Sequence, residues 1–273
     1  MTQMNRRTCL KRGLILVAAL PLGGAAQEPP ARAGASSGSS KLTTLRVIRL
    51  TSKTAHVQGI DTDGKRLWVT SVDRAVQKGW LQEFSLPEGH LERSVEVQDG
   101  DRYHPGGIAA DEDHIWLPVA EYRRQSTAVI QQRSKPTLEL ESEFHVSDHI
   151  GCVAVNAGQI TGGNWDSLDF YVWDHQGRLV RKTSNSSGNS YQDMKIRKDR
   201  LVASGTLSRG VAAIDWLDLS SFGLQRRVLP GNTDRGLPLT REGMTTFGNE
   251  IWLLPEDGDS RLFVLEDRDA AAN

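Results

Sequence analysis

The sequence predicts an all-β fold, a single five-bladed β-propeller, and three observations support this. A unit made of a polar cluster, a glycine or aspartate, an apolar strand, a short turn and a second apolar strand recurs five times. Successive copies are 48, 44, 42 and 50 residues apart, the length of one four-stranded blade. No segment shows an apolar period of 3.6 residues over a dozen positions, so helices are not expected.

The copies follow one internal order. The polar clusters begin at His56, His104, Asp148, Ser190 and Thr240. Each first strand is centred on Gly59, Gly107, Gly151, Asp193 or Gly243. Short turns of the kind that close β-hairpins come next, at Asp63-Gly64, Asp111–Asp113, Ala157-Gly158, Lys198-Asp199 and Gly248-Asn249. Apolar second and third strands complete each copy.

The fifth copy has three strands, ending near Leu265, and lacks a fourth. The segment at about 45–50 is a lone strand without a partner nearby in the sequence. We therefore expect it to join the last blade as its outer strand, which closes the ring and removes an exposed edge. A β-sandwich is the competing interpretation, but it would not need five similar units.

The first 33 residues are typical of an export signal of the twin-arginine type. Arg6-Arg7 precede a short apolar run at 13–20, and cleavage is expected after Ala26 or Ala33. The run is too short to span a bilayer, so no membrane span is expected once the leader is removed. The predicted location is the periplasm or the extracellular space. The predicted organisation is signal peptide 1–33, flexible linker 34–40, propeller 41–267 and tail 268–273.

Composition narrows the range of partners. The chain has 33 basic and 34 acidic residues, a net charge of −1, so it has no general attraction for nucleic acid or anionic lipid. Cys152 is the one thiol expected after leader removal, and it cannot form an internal disulfide. We expect a monomer with Cys152 buried in a strand.

Propeller geometry predicts one polar face. The loops that enter the inner strands and those that follow the second strands open on the same face, where binding and catalysis are expected. The candidate residues near the channel are His56, Gln58, His104, Asp148, His149, Gln192, Asp193, Arg241 and Glu242. Farther out lie Asp73-Arg74, Glu121–Arg124, Asn164–Ser167, Ser208-Arg209 and Glu256-Asp257.

Two kinds of chemistry are consistent with this face. His56, His104 and His149 occupy equivalent places in three consecutive blades, so they are candidate ligands for a divalent metal (zinc, iron or calcium), to which Glu242 could add a carboxylate. Hydrogen bonds from these histidines to neighbouring loops are the alternative. For acid–base catalysis the candidates are His104, His149, Asp193 and Glu242, and salt bridges to arginines are the alternative for the two carboxylates.

The expected substrate is a small polar or carbohydrate-like molecule, and the expected reaction is that of a hydrolase or lyase. A non-catalytic propeller that binds a ligand or protein on the same face is the alternative. The candidate substrate-binding residues are Gln58, Arg123, Trp165, Gln192 and Arg241.

Two resemblances to known families add to this prediction. Gln58-Gly59 resembles the start of the first inner strand in plant-type glutaminyl cyclases, which are five-bladed propellers. Those enzymes carry a catalytic glutamate at the matching point of the second blade, where this chain has Gly106. As a whole, the chain resembles a family of exported bacterial propellers without an assigned function. That resemblance is carried by 102–107, 148–152, 162–167 and 191–194.

Overall fold

The computed structural model describes residues 42–156, 158–258 and 260–267. They all belong to one compact unit, Ala35–Asn273. The predicted signal peptide with its cleavage sites, the linker and the tail at 268–273 lie outside the described residues. Within the described part of the chain, no helix has the length and apolar character needed to cross a membrane.

Five antiparallel sheets make up the structure, as the repeats predict. The first strand of the chain is β1 (Thr43–Arg49). The first blade holds β2 (His56–Thr62), β3 (Arg66–Asp73), β4 (Lys78–Ser85) and β5 (Leu91–Glu96). The second holds β6 (His104–Pro105), β7 (Ala109–Ala110), β8 (His114–Ala120), β9 (Ala128–Ser134) and β10 (Leu140–Val146). The third holds β11 (Ile150–Val155), β12 (Ile160–Asn164), β13 (Asp169–Trp173) and β14 (Leu179–Ser184).

The fourth blade holds β15 (Ser190–Arg197), β16 (Arg200–Leu207), β17 (Val211–Asp218) and β18 (Leu224–Val228). The fifth holds β19 (Gly243–Phe247), β20 (Glu250–Leu254) and β21 (Arg261–Glu266). Short 3₁₀ turns at Trp165–Ser167 and Ser208–Gly210 follow the second strands of the third and fourth blades. The prediction of an all-β five-bladed propeller is confirmed.

The ring closes as predicted. Strand β1 pairs antiparallel with β21, from Thr43 opposite Glu266 to Arg49 opposite Arg261. The fifth blade thus reads β1-β21-β20-β19 and has four strands, like the first, third and fourth, whereas the second has five because the short strands β6 and β7 both pair with β8. Arg46 on β1 makes two hydrogen bonds to Glu250 on β20, at 2.8 and 3.0 Å, which adds a side-chain contact to the closure.

Three tryptophans at one repeat position belong to the core. Trp68, Trp116 and Trp252 lie on the second strands of their blades and are almost wholly buried. A buried indole N–H needs an acceptor, and in each blade a carboxylate supplies it. The acceptors are Glu83, Asp111 and Glu250, at 2.8, 2.8 and 2.9 Å.

The sequence Asp61-Thr-Asp-Gly64 leads into the predicted hairpin turn between β2 and β3. The Asp63 carboxylate accepts the backbone N–H groups of Lys65 and Arg66. Asp61 is buried and accepts hydrogen bonds from the Ala110 backbone N–H at 2.6 Å and the Thr245 hydroxyl at 2.6 Å. Its oxygens thereby connect the first blade to the second and the fifth.

The inner strands meet on Asp193 at the centre of the ring. The Oδ2 atom of Asp193 accepts the backbone N–H groups of Ile60 and Met244, at 2.9 and 3.0 Å. Oδ1 accepts the backbone N–H of Met194 at 2.9 Å and the ammonium of Lys195 at 2.6 Å. One buried carboxylate therefore joins three blades directly. The Lys195 ammonium extends the network to the second blade because it also donates to a carbonyl there.

Candidate functional site

A cavity of about 240 Å³ opens at the channel mouth, and all five blades contribute to its walls. The sequence-predicted residues that line it are His56, Gln58, His104, His149, Trp165, Gln192 and Glu242. Tyr122 and Asn164 also line it. The structure therefore brings most of the predicted site residues together on one face.

Of the residues predicted to act in catalysis, substrate binding or metal binding, three lie elsewhere. Asp193 has a fully buried side chain whose two oxygens are bound by backbone amides and Lys195, so it has a structural position rather than access to the cavity. Arg123 is exposed and ion-paired with Glu121 at 2.5 Å. Arg241 is half-exposed, with its Nε atom 3.4 Å from Glu242. It therefore lies at the edge of the cavity, beside a residue that lines it.

Gln58 lines the cavity but has both ends of its amide engaged. Its nitrogen donates to the carbonyl of Val57 at 2.9 Å. Its oxygen therefore faces the Nε2 atom of His104, at 2.9 Å. The arrangement makes Gln58 a positioning residue for His104, in addition to the substrate-binding role that the sequence predicts.

His104, on β6, is held as one tautomer by this contact. Because the amide oxygen of Gln58 can only accept, Nε2 of His104 carries the imidazole proton. The Nδ1 atom then has a lone pair, and it is buried without a hydrogen-bond partner. Burial of the ring, followed by the charge of a protonated His149 nearby, lowers the pKa of His104 to about 3. The ring is therefore uncharged at neutral pH.

His149, immediately before β11, is the second neutral imidazole. Its Nδ1 atom lies 3.0 Å from the carbonyl oxygen of Arg123 and 3.0 Å from the hydroxyl of Ser126. Because a carbonyl only accepts, Nδ1 carries the proton and Nε2 keeps its lone pair. Burial lowers the pKa of His149, and the bond to the Arg123 carbonyl opposes that shift. The ring centroids of His104 and His149 are 5.4 Å apart.

Trp165 is positioned by a strained turn. The backbone N–H of Trp165 donates to the carbonyl of His149 at 3.1 Å, and its indole packs edge-on against the imidazole at 4.5 Å. Asp166 and Ser167 follow with φ of 58° and 49°, a left-handed conformation that costs free energy in residues other than glycine. The Ser167 hydroxyl stabilises the turn by donating to the carbonyl of Tyr191 at 3.2 Å.

A third cluster combines His56 with two glutamates from the fifth blade. The Nδ1 atom of His56 lies 2.6 Å from an oxygen of Glu256 and 4.0 Å from an oxygen of Glu242. Burial, followed by the negative charge of Glu256, raises the pKa of Glu242 well above its usual range, and Arg241 opposes the shift. A neighbouring carboxylate disfavours ionisation of Glu242, and a positive charge placed between the two carboxylates would favour it.

The three histidines predicted as metal ligands are not gathered as one set of donors. Within the described residues, the group of three potential ligands close enough for one ion is His56, Glu242 and Glu256, with donor atoms within 4.8 Å of one another. The sequence places Glu256 on the polar face but does not single it out. The sequence feature that could have identified Glu256 is its position directly after the second strand of the last blade.

A larger cavity of about 470 Å³ adjoins the first on the same face. Asn164 and Trp165 line both, so the two spaces are neighbours across the Trp165 turn. Arg124 lines the larger one, pairs with Asp166 of the smaller one, and places its guanidinium 5.6 Å from the centre of the Trp165 ring. An ion pair between two blades therefore joins the linings of the two cavities.

The low pKa of His104 makes stability depend on pH in one direction. Above about pH 6.5 the unfolded chain has an uncharged His104, as the folded protein does, so no free energy is lost. Below that pH the unfolded state takes up a proton that the folded state refuses until about pH 3. Between pH 6.5 and 5, protonation of His104 in the unfolded state should therefore cost the native protein about 2 kcal/mol of its free energy of unfolding. His104→Gln lacks this group, so it should not show this part of the loss.

Urea unfolding at the two pH values measures this difference. His145→Gln is the control, because His145 lies exposed on the outer strand β10. If the free energy of unfolding falls equally between the two pH values in the native protein and in His104→Gln, the assignment of His104 as an uncharged imidazole shielded from water is wrong.

The fold is shared with a solved structure. The crystal structure of Myxococcus xanthus glutaminyl cyclase superposes with a TM-score of 0.62 at 13% identity, covering 82% of this chain and 95% of that one. The Neurospora crassa Pan2 WD40 domain gives a TM-score of 0.46 at 13% identity, covering 79% and 62%. No curated protein matches the chain. Residues 76–204, from the first blade to the fourth, match a family of unknown function, DUF6454.

Proposed function

We propose that the channel-mouth cavity is the active site of a hydrolase or lyase that acts on a small, uncharged polar molecule. The observation that carries the proposal is the state of the two imidazoles. His104 and His149 line the same cavity, each has one ring nitrogen fixed by the protein, and each keeps a lone pair on the other. Such groups accept protons or hydrogen bonds from a substrate at neutral pH.

His149 is the general base in this proposal. Its proton is fixed on Nδ1 by the Arg123 carbonyl, so Nε2 is available to take a proton from water or substrate. His104 has a buried lone pair without a partner, which a substrate N–H or O–H can satisfy. The site thus combines a base with an acceptor that orients the substrate.

The walls favour an uncharged ligand. The imidazoles are neutral, and burial also raises the pKa of Tyr122, which keeps its hydroxyl protonated. Asn164 and Gln192 add amide groups, and Trp165 adds an aromatic surface on which a ring or sugar can stack. Glu242 and His56 also line the cavity, and Glu256 contacts His56.

A panel of small polar substrates tests the proposal. It would contain nitrophenyl glycosides, lactones, simple amides and a glutaminyl peptide, the last because a glutaminyl cyclase shares the fold. For the substrate that is turned over, His149→Ala should lower kcat/KM by a factor of about 10²–10⁴, the usual contribution of a general base. His145→Ala, on the exposed outer strand, should leave kcat/KM unchanged.

If kcat/KM of His149→Ala stays within a factor of about two of the native value, the general base is another residue. A panel that gives no turnover, together with a ligand whose binding is lost in His149→Ala, would favour a non-catalytic binding protein at the same cavity.

A further inference from the structure

We infer that His56, Glu242 and Glu256 form a binding site for one divalent metal ion of the first transition row, zinc being the ion that suits the donor set. The metal site belongs to the same cavity as the two imidazoles. The inference rests on the proposed function only in the role that it gives to the bound ion. Whether the ion binds is a separate question with its own test.

The donor atoms have nearly the spacing that a zinc ion needs. Two ligands about 2.0–2.1 Å from a tetrahedral zinc are about 3.3 Å apart. The His56 Nδ1 atom is 2.6 Å from Glu256 and 4.0 Å from Glu242, values that bracket this spacing. Small rotations of the two carboxylates would place all three donors around one ion.

Glu242 provides the second observation that points to a ligand. Its side chain is 7% exposed and lines the cavity, and the Nε atom of Arg241 lies 3.4 Å from its carboxylate, longer than the 2.7–2.9 Å of a charge-assisted hydrogen bond. The neighbours that can carry a positive charge are His56 and Arg241, and Arg241 is 43% exposed, so its guanidinium can turn towards solvent. Buried carboxylates are normally paired, hydrogen-bonded or bound to a metal.

The chemistry of the donors selects the kind of ion. One imidazole and two carboxylates suit zinc and the ions near it in the first transition row, whereas calcium takes six to eight oxygen ligands. Three protein ligands leave a fourth position on the ion. Because Glu242 and His56 line the cavity, that position would face the substrate, where the ion could polarise a carbonyl group or a water molecule.

Zinc binding to the purified full-length protein tests the site directly. The protein would be stripped with a chelator, freed of any affinity tag and titrated with Zn²⁺ in a calorimeter, with bound metal counted by mass spectrometry. We expect one zinc ion per chain. His56→Ala and Glu256→Gln should each weaken binding at least about 100-fold, since loss of an outer-shell partner alone often costs 10–100-fold.

Two controls separate the outcomes. His114→Ala should not change zinc binding, because Asp111 and Glu141 lie at opposite ring nitrogens of His114 and cannot share an ion with it. His149→Ala should bind zinc normally even where it abolishes turnover, so the two proposals can fail independently. Absence of zinc binding in the native protein, or binding that survives both His56→Ala and Glu256→Gln, would overturn the inference.

Discussion

Asp193→Asn should cost the folded protein about 3–5 kcal/mol, the usual penalty for breaking a buried charge pair. Every contact of the Asp193 carboxylate comes from a donor: three backbone N–H groups and the ammonium of Lys195. An asparagine NH₂ group would face two of those donors in either orientation. The substitution also leaves the Lys195 ammonium buried without its counter-charge.

Urea unfolding at pH 7 measures the loss, and two further variants isolate its cause. Adding Lys195→Met to Asp193→Asn should recover part of the loss, because it removes the unpaired ammonium. Asp169→Asn, which breaks the exposed ion pair with Lys182, should cost less than about 1 kcal/mol. A stable Asp193→Asn protein that had lost activity alone would instead support the catalytic role that the sequence predicts.

Gly106→Ala should be the second most damaging change, at about 3 kcal/mol, the upper end of the range for overpacking. A Cβ atom at position 106 would lie 2.1 Å from the carbonyl oxygen of Gly151. Backbone hydrogen bonds hold the two segments together, from Gly107 to Gly151 at 2.9 Å and from Val153 to Gly107 at 3.0 Å. The backbone therefore has little freedom to move away.

Gly158→Ala is the matched control for Gly106→Ala. A Cβ atom at position 158 would meet nothing within 4 Å, so the free energy of unfolding should change by less than about 0.5 kcal/mol. Equal thermal stability of the two variants would mean that the second and third blades are not packed as closely as described. The same contact explains why position 106 cannot carry the glutamate that the cyclase resemblance would place there.

The fold was predictable because each blade has its own local sequence pattern, and this pattern occurs five times. Five similar units, each with a turn between apolar strands, require five blades, and the lone strand before them requires closure onto the fifth. The polar face was predictable for the same reason, since equivalent loops of a propeller open on the same side. His56, His104, His149 and Glu242 meet there as expected.

The roles of individual residues were harder to predict. The pairing register shifts between Tyr191 and Asp193 on β15, so Gln192 lines the cavity whereas Asp193 lies beneath it. A β-bulge of this kind leaves no clear signal in the sequence. The partnership of His56 with Glu256 joins residues 200 positions apart, and one sequence alone carries no evidence of such a contact.

Ring closure by β1 has a consequence for how the site is assembled. Arg46 and Glu250, which face each other across the seam, are 204 positions apart, so their encounter carries a large loop-closure entropy and is expected to come late in folding. The blade completed at that moment is the one that delivers Glu242 and Glu256 to the cavity. A chain that has built its first four blades would therefore already hold its imidazoles but lack its acidic pair.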